Sequence, residues 1–508
     1  MIAATVFRVV NLSFPFIINT IIIQTLGVEY LGLNMLFASI IQFLNITELG
    51  FGTALVFSMY EPIAKKDTAK VSALLSLYRK AYMVIGSIIL VGGLICIPVL
   101  PYIINGDVPS NLNLYILFII SLTDSTIPYF FFFYRSSLFT ANQRNDVLDK
   151  LNTGIEVALS LSKIAVLLIT KNYYFLCITQ MVFSIIRGLF VWFISKKRYP
   201  EYKCEGNIAK DERKAIFSRV IGLSINKLCN VLSNSFDGII ISSFIGLTVL
   251  GQYNNYFVIT NAVMFFMYII TTSAASSIGN SLVCESVKKN HEDFELFQFG
   301  FSVVTGWASI CILCLIQPFV RLWVGEELMF DNVTAAVFSL YMYSILSSAV
   351  FMTYREAAGI WSHDRVRPFV EGGLNLMFNI ILVQLIGVKG VMLSTIFSMG
   401  IIRVIWGSSF LYKEYFKGFS HAKYLLKMLY YLLVTIVAGV VTYCVCNLIQ
   451  WENVAGLIIK GFLCIIIPAV IYFLIYFRSK EFHKAVSFGK SILSRRHKGE
   501  LKQNVSKD

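Results

Sequence analysis

The chain has 508 residues, of which 57% are hydrophobic and only 14% charged, and its mean hydropathy is +0.71. A soluble protein carries nearly twice that share of charge, so no large aqueous domain is hidden here. The net charge of +14 is explained by membrane orientation rather than by a nucleic-acid partner, because the basic residues gather on one set of connections.

A bilayer core of about 30 Å needs about 20 apolar residues of helix. Taken in chain order, stretches of that kind fall at 3–26, 31–58, 77–104, 112–139, 151–170, 173–195, 216–245, 251–279, 295–320, 332–357, 367–387, 390–412, 425–448 and 454–477. Only helices and closed barrels can cross lipid, since every backbone polar group needs a partner within the protein. Runs this long exclude the short alternating strands of a barrel. The expected fold is therefore an all-α polytopic membrane protein with about 14 transmembrane helices. The first span starts almost at Met1 without a small-residue cleavage site, so it reads as a retained helix rather than a signal peptide.

Lys171, Arg321 and Lys389 are the basic residues on connections after odd-numbered spans. After even-numbered spans come Lys65, Lys66 and Lys70, then Lys196, Lys197 and Arg198, then Arg365 and Arg367, and finally a basic tail. By the positive-inside rule both termini are cytoplasmic and the span count is even. The ten cysteines lie in spans or on cytoplasmic connections, away from an oxidising exterior. Cys311 and Cys314 form a CxxC inside a spanning helix with no second pair or histidine near them, so they read as small packing residues. All five histidines fall on the cytoplasmic side, and no metal site is expected from them.

Shifting the sequence by 219 residues lays Leu26-Gly27-Val28-Glu29-Tyr30-Leu31-Gly32 over Ile245-Gly246-Leu247-Thr248-Val249-Leu250-Gly251 without a gap. The same offset places Arg8 on Lys227 and Asn11 on Asn230, but it fails where Pro15 meets Asn234 and Ile18 meets Asp237. Six-helix halves of one topology mark many secondary transporters, with the substrate site between the halves. The expected organisation is an N-lobe at 1–195 with helices 1–6, a cytoplasmic linker at 196–215 and a C-lobe at 216–412 with helices 7–12. A final helix pair at 425–477 and a basic cytoplasmic tail at 478–508 complete it. The two repeat-related lobes would surround a central cavity.

Ionisable residues at membrane depth cost about 2.5–3.5 kcal/mol on insertion scales and usually face a cavity or a partner. Lys227, Asn230, Asn234 and Asp237 are spaced i, i+3, i+7, i+10 and form one polar stripe on the seventh span. Arg8, Asn11 and Asn19 make a weaker stripe on the first. Facing each other across a cavity, the cations would suit an anionic headgroup such as a phosphate. Each residue also has a plainer reading. Arg8 would snorkel to the interface, and Asn19 would bond a neighbouring helix. Asp237 is open to three roles: salt-bridge partner, coupling-ion site or solvated cavity residue. Lys163, Arg187 and Arg403 either line a cavity or pair with Glu156, Asp124 or Glu371. Glu48 sits in Thr47-Glu48-Leu49-Gly50-Phe51-Gly52, where close helix packing competes with function. Arg219 and Lys460 read as interfacial. A GxxxxGK[ST] phosphate loop does not occur, so ATP is not expected to drive the protein. The outer connections are too short to hold an enzymatic site, and no catalytic role is expected.

The strings Leu26-Gly27…Tyr30-Leu31-Gly32-Leu33, Glu48-Leu49-Gly50-Phe51-Gly52-Thr53-Ala54 and Tyr60-Glu61-Pro62 appear in that order. They are followed by Leu250-Gly251-Gln252-Tyr253-Asn254-Asn255-Tyr256, Tyr354-Arg355-Glu356-Ala357-Ala358-Gly359, Arg367-Pro368…Asn375 and Gly387-Val388-Lys389-Gly390-Val391. In order and spacing over nearly the whole chain they resemble a Wzx-type oligosaccharide flippase, the polysaccharide-biosynthesis branch of the multidrug/oligosaccharidyl-lipid/polysaccharide exporter superfamily. The resemblance implies two six-helix lobes plus a final pair, and a cavity holding cationic residues. It also implies translocation of a polyprenyl-diphosphate-linked oligosaccharide to the outer leaflet of a bacterial cytoplasmic membrane by alternating access. Arg8 and Lys227 would contact the diphosphate, and Asn11, Asn230 and Asn234 the sugar hydroxyls. No cofactor is expected beyond coupling to a proton or sodium ion. Expected partners are the lipid-linked glycan and membrane lipid, with a glycan polymerase or cytoplasmic glycosyltransferases as further associates, and no nucleic acid. Rival readings are a cation-coupled multidrug exporter, a lipid II flippase and a membrane glycan polymerase.

Overall fold

The computed structural model describes residues 2–48, 50–106, 108–109, 112–131, 133–360, 364 and 366–487. At 2–12, 47, 219, 221–223, 225–230 and 232–234 it describes the backbone alone. The described residues form helices and connections, and they divide into two compact units, Met1–Val258 with Pro368–Ser394, and Ile259–Arg367 with Thr395–Asp508.

The first unit starts with α1 (Ile2–Thr25), α2 (Val28–Leu44), α3 (Phe51–Ala64), α4 (Thr68–Cys96) and α5 (Leu114–Phe131). It continues with α6 (Phe133–Ala141), α7 (Asn145–Thr170), α8 (Tyr173–Arg198), α9 (Lys210–Phe244) and the start of α10 (Leu247–Cys284). In the second unit the rest of α10 is followed by α11 (Val287–Val324), α12 (Asn332–Ser347) and α13 (Ala349–Ala357). Most of α14 (Val366–Ile386) and α15 (Val388–Thr395) belongs to the first unit. The chain then runs through wide π-type turns at Ile396–Gly407 into α16 (Ser408–Glu414), α17 (His421–Asn447) and α18 (Val454–Tyr476) of the second. Short polar residues set several helix starts: Asp67, Asn172, Ser286, Ser420 and Asn453 each accept from an N–H two or three residues on.

Among the described residues, 11 helices are long and apolar enough to cross a membrane. Shorter apolar helices at Ser13–Thr25, Val28–Leu44 and Ser235–Phe244 fall on the remaining expected spans. Several spans expected as single helices are broken. The one at 31–58 passes through a 3₁₀ turn at Asn45–Glu48 and a left-handed Gly50 with φ +86°. A Cβ on Gly50 would stand 2.7 Å from the Val220 carbonyl oxygen, so the break lets the chain approach α9. The span at 332–357 changes direction at Ser348 between α12 and α13. Hydropathy registers side-chain composition and is blind to such backbone changes.

The 219-residue offset has a structural counterpart. Gly27 and Gly246, one offset apart, both open a helix at positive φ, +121° and +123°. A Cβ on Gly32 would collide with the carbonyl oxygen of Leu247, and a Cβ on Gly251 with that of Val28. These two contacts interchange when each residue is replaced by its offset mate. Thr248 Oγ1 donates to Glu29 Oε1 at 3.2 Å, again between residues one offset apart. Inside the first unit, α2 and the start of α10 therefore cross as symmetry-like copies. Nearby, Asn105 binds the C-terminal end of α9, its N–H donating to Ser242 and its Nδ2 to the Phe244 carbonyl, each at 2.9 Å.

Candidate functional site

Helices α1, α2, α5, α7 and α8 enclose a cavity of about 430 Å³ inside the first unit. Helical period explains its polar wall. Glu156, Ser160 and Lys163 follow i, i+4, i+7 on α7, while Cys177 and Gln180 are one turn apart on α8. Asn19 enters from α1, Asn34 from α2, and Ser121, Asp124 and Ser125 from α5. The apolar remainder includes Phe14, Ile18, Phe37 and Leu176.

The cavity brings together four expected site residues, Asn19, Asp124, Glu156 and Lys163, and a fifth is paired with one of them. Arg187, ten residues beyond Cys177 on α8, places Nη2 2.7 Å from Glu156 Oε2. Ser184 and Gln180 lie within hydrogen-bonding reach of the Asp124 carboxyl, and Lys163 and Arg187 lie near enough to act on it electrostatically. Asn19 Nδ2, Asp124 Oδ1 and Arg187 Nε are nonetheless buried without a hydrogen-bond partner. Buried polar groups are normally satisfied, so these three mark where a small polar guest, water or an ion would gain most.

The Arg187–Glu156 pair is half-exposed, so its strength is that of a screened pair, about 0.2–1 kcal/mol. We expect Arg187→Met and Glu156→Gln each to lower the unfolding midpoint of the purified protein. The double variant is expected to lose less than the sum, and strict additivity would show that the two side chains act independently.

The other expected residues lie elsewhere. Asp237 is buried in the first unit and accepts from Asn379 Nδ2 at 2.8 Å; Asn379 also donates to Asn375 and accepts from Ser394. Chain order gives little sign of this amide network, whose Asp237–Asn379 bond joins residues 142 apart. Glu48 is held by two phenols, Tyr82 at 3.0 Å and Tyr129, with Tyr78 bonded to Tyr82 behind them. Arg403 is buried in the π-type turns of the second unit. The side chains of Arg8, Asn11, Lys227, Asn230 and Asn234 lie outside the described residues.

Three features of the second unit escape sequence reasoning. Asp364 binds Arg355 and Arg367 together: Arg367 Nε and Nη2 reach it at 2.8 and 2.7 Å, and all three residues are buried. Cys446 and Cys464 stand beside Cys314, so the CxxC does have a second pair near it in space. An apolar cleft of about 590 Å³ lies between α11 and α18, with Phe299, Val303, Trp307 and Phe473 on its walls.

The tail is docked at its start. Lys427 Nζ bridges Glu295 and Glu481 at 2.8 Å each, and Lys484 reaches Glu292 at 3.3 Å. Burial opposes ionisation of Glu481, but the Lys427 hydrogen bond, a backbone hydrogen bond and the charges of Lys427 and Lys484 together outweigh it and hold the carboxyl below its ordinary range. A lowered folded value stabilises docking above the ordinary carboxylate range and loses that effect as pH falls through the lowered value. Hydrogen exchange at 480–487 is therefore expected to rise several-fold in Lys427→Met at neutral pH. In the parent it should rise only on acidification below about pH 4. Equal exchange in parent and variant would show that the bridge does not hold this segment.

The profile of a family described as polysaccharide biosynthesis protein matches residues 1–275. The chain belongs to that family. No curated protein matches the chain significantly in sequence. Among solved structures, the lipid II flippase MurJ in an inward closed conformation superposes with a TM-score of 0.67 at 12% identity, over 94% of this chain and 99% of that one. An inward-facing multidrug resistance MATE family transporter of the MOP superfamily follows at 0.61 and 15% identity, over 81% and 99%. A mutant of the Vibrio cholerae MATE transporter VcmN gives 0.53 at 12%, over 81% and 94%. Identities this low establish the fold. This member of the polysaccharide biosynthesis protein family is thus a multi-pass membrane protein of MurJ/MATE-like fold.

Proposed function

We propose that this family member moves a polyprenyl-diphosphate-linked oligosaccharide from the cytoplasmic to the outer leaflet of a bacterial membrane for surface polysaccharide synthesis, as a transporter and not an enzyme. Family membership, matched across residues 1–275, carries the reading. Physical chemistry supports it in three ways. The cations Arg8 and Lys227 open polar stripes on helices α1 and α9, where a diphosphate would find charge-assisted partners, with Asn11, Asn230 and Asn234 for sugar hydroxyls. The apolar cleft beside α18 suits a prenyl chain that stays out of water. Outward movement of a charge of −2 is favoured by about 4–5 kcal/mol per 100 mV, inside negative, so the membrane potential is a sufficient drive. Alternating access would follow from rocking of repeat-built lobes, 1–195 against 216–412, with both termini cytoplasmic.

Asp124, Glu156, Lys163 and Arg187 serve best as a coupling site, exchanging a proton or sodium ion at Asp124 while Arg187 holds Glu156. The same acids favour a second reading, a cation-coupled multidrug exporter. One experiment separates the two. A strain deleted for the gene is complemented with the parent, Lys227→Glu or Asp124→Asn, with protein level checked by blot, and surface glycan and drug susceptibility are scored. The flippase reading predicts loss of surface glycan on deletion and failure of Lys227→Glu to restore it. Intact glycan with heightened drug susceptibility would establish the exporter instead.

A further inference from the structure

The second unit holds a cluster that transport leaves unused. The Sγ atoms of Cys314 on α11, Cys446 on α17 and Cys464 on α18 lie within 4.8 Å of one another, and all three residues are buried. Cys446 and Cys464 are 4.0 Å apart. Cys311, one turn before Cys314, is within hydrogen-bonding reach of Cys464. Three helices thus converge on four sulfurs.

We propose that Cys311, Cys314, Cys446 and Cys464 bind one thiophilic d10 ion, Zn²⁺ or Cu⁺. With metal–sulfur bonds of about 2.3 Å, tetrahedral ligands sit about 3.8 Å apart, so the sulfurs of Cys314, Cys446 and Cys464 need to close by only about 1 Å or less, and Cys311, within reach of Cys464, turns in as the fourth. An all-thiol donor set selects soft ions over the hard cations that carboxylates hold. On binding, each ligating thiol gives its proton to water, the ion sheds its hydration shell and no electrons move. Lys460, one turn before Cys464, acts electrostatically on Cys446 and offsets the thiolate charge. Trp307 Nε1 donates to the Cys464 carbonyl at 2.8 Å and fixes α18 against α11. Gly306, where a Cβ would stand 2.5 Å from the Tyr472 hydroxyl, lets those helices close. The ion would clamp the final helix pair onto α11.

The test uses the full chain in detergent, free of any histidine tag and reduced with a non-thiol reductant. It is loaded with Zn²⁺ alone or with Cu⁺ alone under ascorbate. After exchange against a competing chelator, metal per protein is measured. The proposal expects close to one ion per chain for at least one metal, with a raised unfolding midpoint. Retention should fall at least tenfold in Cys446→Ser with Cys464→Ser, and persist in Cys444→Ser, whose parent residue is exposed. The same pair changed to alanine preserves an apolar interior, so a folded, monodisperse protein lacking metal separates ligand loss from misfolding. No retention of either ion, or equal retention in the alanine variant, would overturn the proposal. So would a Cys446–Cys464 disulfide recovered from cells quenched with alkylating reagent.

Discussion

Gly32→Ala and Gly251→Ala are each expected to destabilise the protein and, on the proposed function, to abolish glycan export, although alanine is the better helix former. In an open helical position the exchange gains about 1 kcal/mol from propensity. At these two glycines the new Cβ would strike a backbone carbonyl, of Leu247 and of Val28 respectively. A backbone cannot swing aside as a side chain can, so the helices must part, at about 1–3 kcal/mol or more for overpacking. The steric term wins. Gly154 on α7 is the internal control: nothing lies within 4 Å of the place its added methyl would take, and Gly154→Ala should stabilise by about 0.5–1 kcal/mol. Unfolding midpoints and surface glycan measured on the three variants check the sign. A raised midpoint in Gly32→Ala would show that α2 and α10 do not approach as described.

Asp364→Asn is expected to be among the most damaging single changes in the second unit. One buried carboxylate is shared by the Arg355 and Arg367 guanidiniums, and the amide is isosteric but neutral. Removing one partner from a buried ion pair costs about 3–5 kcal/mol, because the remaining charge keeps its desolvation penalty. A loss of that size is a large fraction of a typical folding stability of about 5–15 kcal/mol. The measurable result is a sharp fall in folded membrane protein, with partial recovery in Asp364→Asn combined with Arg355→Met. Normal yield and midpoint in the single variant would show that the carboxylate does not balance these charges.

The parts of this molecule that were legible in its sequence are those written in composition and period. Span positions followed from 20-residue apolar runs, and the glycine turns at Gly27 and Gly246 were visible as an offset match that the structure repeats in backbone angle. Glu156 and Lys163 were legible as ionisable residues at membrane depth, and Ser160 between them completes a helically spaced stripe on α7 that the cavity brings out. Less was legible where meaning depends on distant segments. Asp364 meets Arg355 across a turn, Asp237 meets Asn379 from another part of the chain, and Cys464 reaches the CxxC only once α18 packs on α11. The break at Gly50 was hidden because hydropathy does not report φ.

Translocation by the purified protein decides whether this chain is a flippase. Proteoliposomes carrying a fluorescent polyprenyl-diphosphate oligosaccharide would be probed with a membrane-impermeant reagent under an imposed potential. A flippase driven by the potential gives protein-dependent movement of the lipid toward the positive side, faster as the potential grows, and slowed at least tenfold by Lys227→Glu. A protein that reconstitutes fully yet leaves the lipid in its starting leaflet at every potential would contradict that mechanism.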